Sequence, residues 1–142
     1  MNSQSKTACF ILLFITTLIS LPASAEVAVI VNASNDSTIS IDDIKRIYLG
    51  KSRTFTNGSP VIAINLGKAD QTRQSFESHV LKKSASQVKA YWSKLVFTGK
   101  GTPPKEVSSV EEMVKLVKEN PAVIGYIDSK FVTSEVKVIT KF

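Results

Sequence analysis

The sequence predicts an α/β domain built as a three-layer sandwich, in which helices cover both faces of a mixed, mostly parallel sheet. Two observations support this fold class. Short runs rich in Val and Ile, without alternating polar residues, recur along the chain, and such runs are typical of strands buried on both faces of a sheet. Segments with apolar residues at helical spacing separate these runs. With 142 residues, the chain has the length of one small domain.

The first 25 residues differ from the rest and predict a secretory signal peptide. Lys6 precedes a short apolar run, Ala8–Leu21, and Pro22–Ala25 supplies small residues at the A-x-A spacing of a signal-peptidase site. A retained membrane anchor is the alternative, although the run is short for a bilayer span. Cleavage would leave residues 26–142 as a single periplasmic domain without membrane insertion. The only cysteine, Cys9, would be removed, so no disulfide is expected.

The next part of the chain predicts a strand, a helix and a second strand. Glu26–Val31 is a β-branched apolar run followed by a polar loop. Ser40 and Asp43 have the spacing of a capping box, and Gly50 is placed to end the helix that follows. A turn then precedes Pro60–Leu66, the second buried strand. A strand, a helix and a strand in this order predict a right-handed βαβ unit.

The second half predicts further helices and two more strands. Helices are expected over Asp70–Lys83, around Val88–Val96 and after the capping-box residues Ser108 and Ser109, and strands over Ala122–Ile127 and Val136–Thr140. The stretch TGKGTPP (Thr98–Pro104) lacks the spacing of a phosphate-binding loop, and its prolines forbid the helix that should follow one. We therefore expect an ordinary loop there.

The residue types argue against an enzyme, a metal site and a bound cofactor. His79 is the only histidine, so no histidine cluster is available for a metal, and no G-x-S-x-G motif activates a serine. The formal net charge of +6 favours anionic partners, but the lysines are scattered as on an ordinary soluble surface. No catalytic residues, metal ligands, cofactor or nucleic-acid partner are therefore predicted.

The candidate binding segment is Leu66–Phe76, which leaves the carboxyl end of a predicted strand and begins a helix. Open α/β sheets bind ligands at this position, and backbone N–H groups at a helix N-terminus suit an anion. Thr72 can add a hydroxyl donor. Arg73, in the first turn, is electrostatically unfavourable unless an anion or an acidic side chain neutralises it. In the alternative interpretation, Asp70 simply caps the helix and Arg73 extends into solvent.

Four motifs stand in order along the chain: Ile39–Gly50, Phe55–Gly58, Asp70–Phe76 and Asn120–Ile127. Together they resemble the phosphate-binding proteins of ABC phosphate transporters, specifically one of their two lobes. The third motif is similar to the family's S-G-T-R-x-x-F helix start that receives phosphate, and the fourth to N-P-G-A-I-G-Y-V. The resemblance covers nearly all of the chain after the signal peptide. It implies a single lobe of a type 2 periplasmic-binding-protein fold.

The resemblance implies a ligand site and two possible functions. The ligand-binding candidates are Asp70, Gln71, Thr72, Arg73, Lys68 and Asn32, and of these Thr72 and Arg73 match the family's motif residue by residue. The implied ligand is phosphate or a similar oxyanion, and the implied role is in phosphate ABC transport. However, Asp70 and Gln71 replace the family's usual Ser-Gly, and Leu66 stands where many members place an arginine. These departures favour the alternative function, an interaction module that holds no ligand and docks onto an envelope protein.

The missing second lobe predicts a protein partner. A face shaped to close against another lobe is expected to be covered, either by a second copy of the chain or by an envelope protein. The loops Asn32–Ser37 and Leu66–Thr72, with Tyr126 and Asp128, are expected to form this face. Tyr126 is the predicted anchor of the interface, and packing at a strand end is the alternative role for its ring.

Overall fold

The computed structural model describes residues 25–142, so the predicted signal peptide lies outside the described residues except for Ala25. The elements in order are β1 (Val27–Asn32), α1 (Ile41–Tyr48), β2 (Ile62–Leu66), α2 (Gln71–Phe76), α3 (Ala85–Phe97), β3 (Lys105–Val107), α4 (Val110–Glu119), β4 (Val123–Asp128) and β5 (Val136–Lys141). None of the helices in this part of the chain is long and apolar enough to cross a membrane.

The strands form one sheet in the order β3–β2–β4–β1–β5. β2 is parallel to β3 and β4, whereas β1 is antiparallel to β4 and β5. Four strands therefore run in one direction and β1 runs against them, which confirms the mixed, mostly parallel sheet. The predicted βαβ unit is wrong, because β4 lies between β1 and β2 and β1 runs opposite to β2. A central strand is buried on both faces whether it runs parallel or antiparallel to its neighbours. The apolar residues of β1 therefore did not indicate its direction.

Helices cover both faces of the sheet, which confirms the three-layer architecture. On one face, α4 packs closely on Gly125 of β4, where an added Cβ would collide with the side chain of Met113. The next residue, Tyr126, points to the other face. There its ring stacks on Phe76 of α2, with the ring centroids 4.0 Å apart, and lies 5.7 Å from the ring of Tyr48 in α1. These three rings form the core beneath α1 and α2.

Side-chain caps begin the helices where the sequence predicts them. Ser40 accepts a hydrogen bond from the backbone N–H of Asp43 at 3.1 Å, and the Asp43 carboxylate accepts from the Ser40 N–H at 2.9 Å. Hydrogen bonding to Ser40 holds the pKa of Asp43 below its usual value. Ser109 caps α4 by accepting from the N–H of Glu112 at 3.1 Å. The local capping signals were therefore sufficient to locate these helix starts.

Two parts of the chain differ from the prediction. The helix expected over Asp70–Lys83 is regular only as far as Phe76 and continues as a π-helical turn, Glu77–Leu81, which ends at Lys82 with a left-handed φ of 55°. The edge strand β3 was not predicted, because only Val107 of its three residues is buried. Its parallel pairing with β2 becomes important for the site, since it places Glu106 opposite Asn65.

Candidate functional site

The carboxylate of Asp70 caps the N-terminus of α2. Oδ1 of Asp70 accepts hydrogen bonds from the backbone N–H groups of Thr72 at 2.7 Å and Arg73 at 3.4 Å. This confirms the interpretation of Asp70 as a helix cap. Two backbone donors that an anion would use here are already hydrogen-bonded, and the charge of Asp70 would repel an oxyanion at the same position.

Arg73 is held between two acidic side chains, and we call Arg73, Glu77 and Glu106 the Arg73 cluster. Nε of Arg73 donates to Glu77 at 2.8 Å, while Nη1 donates to Glu106 and to the carbonyl of Leu66, both at 2.8 Å. Burial opposes the charge of the guanidinium, but the hydrogen bonds to Glu106 and Glu77 outweigh it and raise the pKa of Arg73 above its usual value.

The predicted need to neutralise Arg73 is thus met by acidic side chains. Only 7% of Arg73 is exposed, so the alternative in which it extends into solvent is wrong. Glu77 lies four residues after Arg73 on the same helix, and this spacing was visible in the sequence. Glu106 could not be found in the same way, because it reaches Arg73 only through the pairing of β3 with β2.

Tyr126 is a core residue. Its hydroxyl donates to Oδ1 of Asn65 at 3.0 Å and accepts from the N–H of Leu66 at 3.3 Å, and the residue is fully buried. Burial raises the pKa of the Tyr126 phenol well above its usual value. The predicted role of Tyr126 as an interface anchor is therefore wrong, and strand-end packing is confirmed. Its position near the end of β4 did not reveal that α2 covers this face.

Five of the six predicted ligand residues lie in one region. Asp70 caps α2, and Gln71, Thr72 and Arg73 form its first turn. Lys68 lies in the preceding loop, where it lines the same groove as Arg73. Lys68 and Gln71 are exposed, whereas Thr72 is buried. The Thr72 hydroxyl has no hydrogen-bond partner among the described residues.

Asn32 is not brought to this region. β1 runs against β2, so the carboxyl end of β1 lies at the opposite edge of the sheet from that of β2. The Asn32 side-chain amide donates to the carbonyls of Val117 at 3.1 Å and Lys118 at 2.8 Å, near the end of α4. The structure therefore places Asn32 apart from the other predicted ligand residues. The loop Asn32–Ser37 and the loop Leu66–Thr72 do not form one face, for the same reason.

A groove of about 680 Å³ opens beside the Arg73 cluster, and we call it the α3 groove. Asn65, Lys68 and the Arg73 cluster form its polar end. Its apolar wall consists of Val88, Trp92, Val96, Phe97, Pro103 and Pro104. Phe97 is 93% exposed and Val96 is 54% exposed, so this part of the wall is uncovered, whereas Val88 and Trp92 are buried. A volume of this size, mainly apolar walls and a few buried polar groups are typical of binding sites.

Comparisons with known proteins support the fold. No protein-family model matches the chain. No curated protein matches its sequence either. Among solved structures, an ABC-type phosphate transport receptor from Vibrio cholerae is similar, with 23% identity and a TM-score of 0.63, over 81% of this chain and 46% of the receptor. A putative phosphate ABC transporter substrate-binding protein from Clostridium perfringens, with bound phosphate, has 21% identity and a TM-score of 0.63, over 81% and 45% of the two chains.

PstS from Borrelia burgdorferi is also similar, with 14% identity and a TM-score of 0.60, over 82% of this chain and 47% of PstS. The chain thus spans just under half the length of each of these proteins, which agrees with the predicted single lobe. These neighbours are described as receptors and binding proteins. At such low identity the similarity concerns the fold, and at that level it confirms the resemblance drawn from the sequence: the chain has the fold of one half of a phosphate-binding protein.

Proposed function

We propose that this chain is a periplasmic lobe of the phosphate-binding-protein type that docks a partner protein and does not carry free phosphate. One observation carries the proposal: backbone donors at the start of α2 and the guanidinium of Arg73, two of the groups predicted to hold an oxyanion, are already bonded within the chain. Asp70 occupies backbone donors at the start of α2, and Glu77 and Glu106 neutralise Arg73. The α3 groove beside them has an apolar wall that no described residue covers.

The energetics favour this interpretation over phosphate binding. An oxyanion at the start of α2 would have to displace Asp70, and losing such a cap costs about 0.5–2 kcal/mol. The displacing anion would then lie close to the carboxylates of Asp70, Glu77 and Glu106. The cations that line this region are Lys68, Arg73 and Lys89. Arg73 already pairs with Glu77 and Glu106, so its charge is not free for a ligand.

Phosphate is the second candidate ligand, and specific observations favour it. The Thr72 hydroxyl has no hydrogen-bond partner within residues 25–142, and Lys68, four residues earlier in the chain, is exposed. The similar structures include a protein with bound phosphate, and their descriptions also motivate a role in phosphate ABC transport. Under this hypothesis the oxyanion would contact Thr72 and Lys68.

A phosphate titration distinguishes the two candidates. We expect the melting temperature of the protein to be the same in phosphate and in sulfate of equal ionic strength, because a ligand raises it only by binding the folded state. Asp70→Ser removes the repelling charge and keeps a capping side chain, so any phosphate-dependent rise should be larger in this variant. A saturable rise in the unmodified protein that Thr72→Val abolishes would contradict the docking proposal and support phosphate.

Export to the periplasm through a cleaved signal peptide, residues 1–25, is part of the proposed function. The intact mass of the protein recovered from the periplasmic fraction is expected to correspond to a chain that begins at Glu26. A control chain with Ala23→Leu and Ala25→Leu removes the small side chains that signal peptidase requires and should retain the full length. A full-length mass for the unmodified protein, recovered with the membrane fraction, would instead support the retained anchor.

A further inference from the structure

We infer that the α3 groove binds an extended, apolar peptide segment of the partner protein, with a backbone amide of that segment at the polar end. This inference rests on the proposed function, because it identifies the surface through which the lobe would dock. Three features carry it: buried polar groups with unused hydrogen-bonding capacity, an apolar wall, and an open sheet edge beside the groove.

The polar end of the groove contains three side chains that are at least nine-tenths buried: Asn65, Arg73 and Glu77. Asn65 uses Oδ1 for Tyr126, Arg73 uses Nε and Nη1 within its cluster, and Glu77 uses Oε1 for Arg73. Nδ2 of Asn65, Nη2 of Arg73 and Oε2 of Glu77 have no hydrogen-bond partner among the described residues.

These three atoms are not sealed inside the protein. Within residues 25–142, the only fully buried side-chain nitrogen or oxygen without a partner is Oγ of Ser37, which is remote in sequence from the groove. The unused groups on Asn65, Arg73 and Glu77 are therefore reachable from outside, and all three residues line the α3 groove. A buried polar group that stays accessible in this way is available to a ligand.

The combination of groups identifies the chemistry of the ligand. Asn65 and Arg73 offer donors, whereas Glu77 offers an acceptor. A fully ionised oxyanion can only accept hydrogen bonds and would be repelled by Glu77 and Glu106, and an ammonium ion would be repelled by Arg73 and Lys68. A neutral amide both accepts and donates, so its C=O can pair with the donors and its N–H with Glu77.

The rest of the groove fits the side chains and the extended backbone of a peptide. Val96 and Phe97 provide exposed apolar surface that would be removed from water on binding, whereas Trp92 is already buried in the free protein. The groove extends to β3, because Pro104 and Glu106 line it. β3 is an edge strand with no described strand on its outer side. An extended segment can therefore add main-chain hydrogen bonds along this edge, as in other cases of strand addition.

The test uses NMR spectra of the 15N-labelled protein titrated with two probes. N-acetyl-leucyl-leucine methylamide supplies apolar side chains and neutral amides, and phenyl phosphate supplies an apolar ring and an oxyanion. We expect the amide probe to cause saturable shifts of the Asn65 side-chain amide and the Trp92 indole N–H, at concentrations at least tenfold below those at which phenyl phosphate does so.

Substitutions in the wall test the location of the site. Phe97→Ala removes an exposed ring, and we expect it to weaken binding of the amide probe at least fivefold while the spectrum remains that of the folded protein. Val96→Ala should weaken binding in the same direction and serves as a second variant. Phe131→Ala, which removes a half-exposed ring outside the groove, should leave binding unchanged.

Three results would overturn the inference: no saturable shift with the amide probe, unchanged binding in both wall variants, or tighter binding of phenyl phosphate than of the amide. A different observation would show that the proposed function is wrong. Saturable shifts of the Thr72 backbone amide with inorganic phosphate would contradict the docking proposal, whatever the two organic probes do in the groove.

Discussion

Replacing Arg73 with methionine is expected to lower the free energy of unfolding by about 3–5 kcal/mol, because it leaves the buried carboxylate of Glu77 without its counterion. Glu77 is only 3% exposed, so water can compensate little of the loss. The carbonyl of Leu66 also loses its donor from Arg73. The change is measured by denaturant unfolding, with an unchanged m-value as the check that the two-state comparison is valid.

Two further variants show whether the lost pair is the cause. Lys89→Met removes a cation from an exposed position on α3 that lines the same groove, and its effect should stay within about 0.5 kcal/mol. The double variant Arg73→Met with Glu77→Leu removes both charges and should recover most of the loss, since an apolar pair can replace a buried ion pair. A double variant as unstable as Arg73→Met alone would show that the loss has another origin, such as poor packing of methionine.

Replacing Phe76 with alanine is the second large effect that we expect, with a loss of about 3–5 kcal/mol in the free energy of unfolding. The Phe76 ring is fully buried, lies parallel to the ring of Tyr126 with an interplanar angle of 3°, and meets the ring of Tyr48 edge-on at 4.6 Å. Its removal leaves a cavity between α2 and the sheet and forfeits both aromatic contacts. Thermal unfolding and denaturant unfolding should both report the change.

Phe97→Ala is the matched control, because it deletes the same side chain from a position that is 93% exposed. Its effect on the free energy of unfolding should stay within about 0.5 kcal/mol. The pair of variants therefore separates a ring that holds the fold from a ring that is available to a partner. An equal loss of unfolding free energy in the two variants would contradict this distinction. It would also show that Phe97 is needed for the fold and is not a free surface contact.

The sequence was sufficient for those parts of the fold that depend on neighbouring residues. The capping box of Ser40 and Asp43 located α1, and the apolar runs located β1, β2 and β4. The direction of β1 could not be predicted in this way, because pairing with β4 depends on residues about a hundred positions away. The short edge strand β3 was missed for a related reason: it is defined by its pairing with β2 rather than by an apolar pattern.

The candidate site shows the same division between local and distant interactions. The cap formed by Asp70 and the need for a partner to Arg73 both followed from positions in the first turn of a helix. The identity of one such partner, Glu106, required the tertiary fold, since the two residues are 33 positions apart. The α3 groove was not predicted at all. A helix around Val88–Val96 was predicted, but whether one of its side chains lies in the core or on the surface depends on what packs against the helix.

The central place of β1 also constrains when the domain can fold during its synthesis. Among the strands of residues 25–142, β1 pairs with β4 and β5 alone, and these pairings join Val27 to Asp128 and Ala28 to Lys141. The nascent chain must therefore present its last strands before its first strand finds a neighbour. Pairings between such distant residues give a high contact order and slow folding. A chain that is threaded across a membrane from its N-terminus would thus stay unfolded until transfer is almost complete.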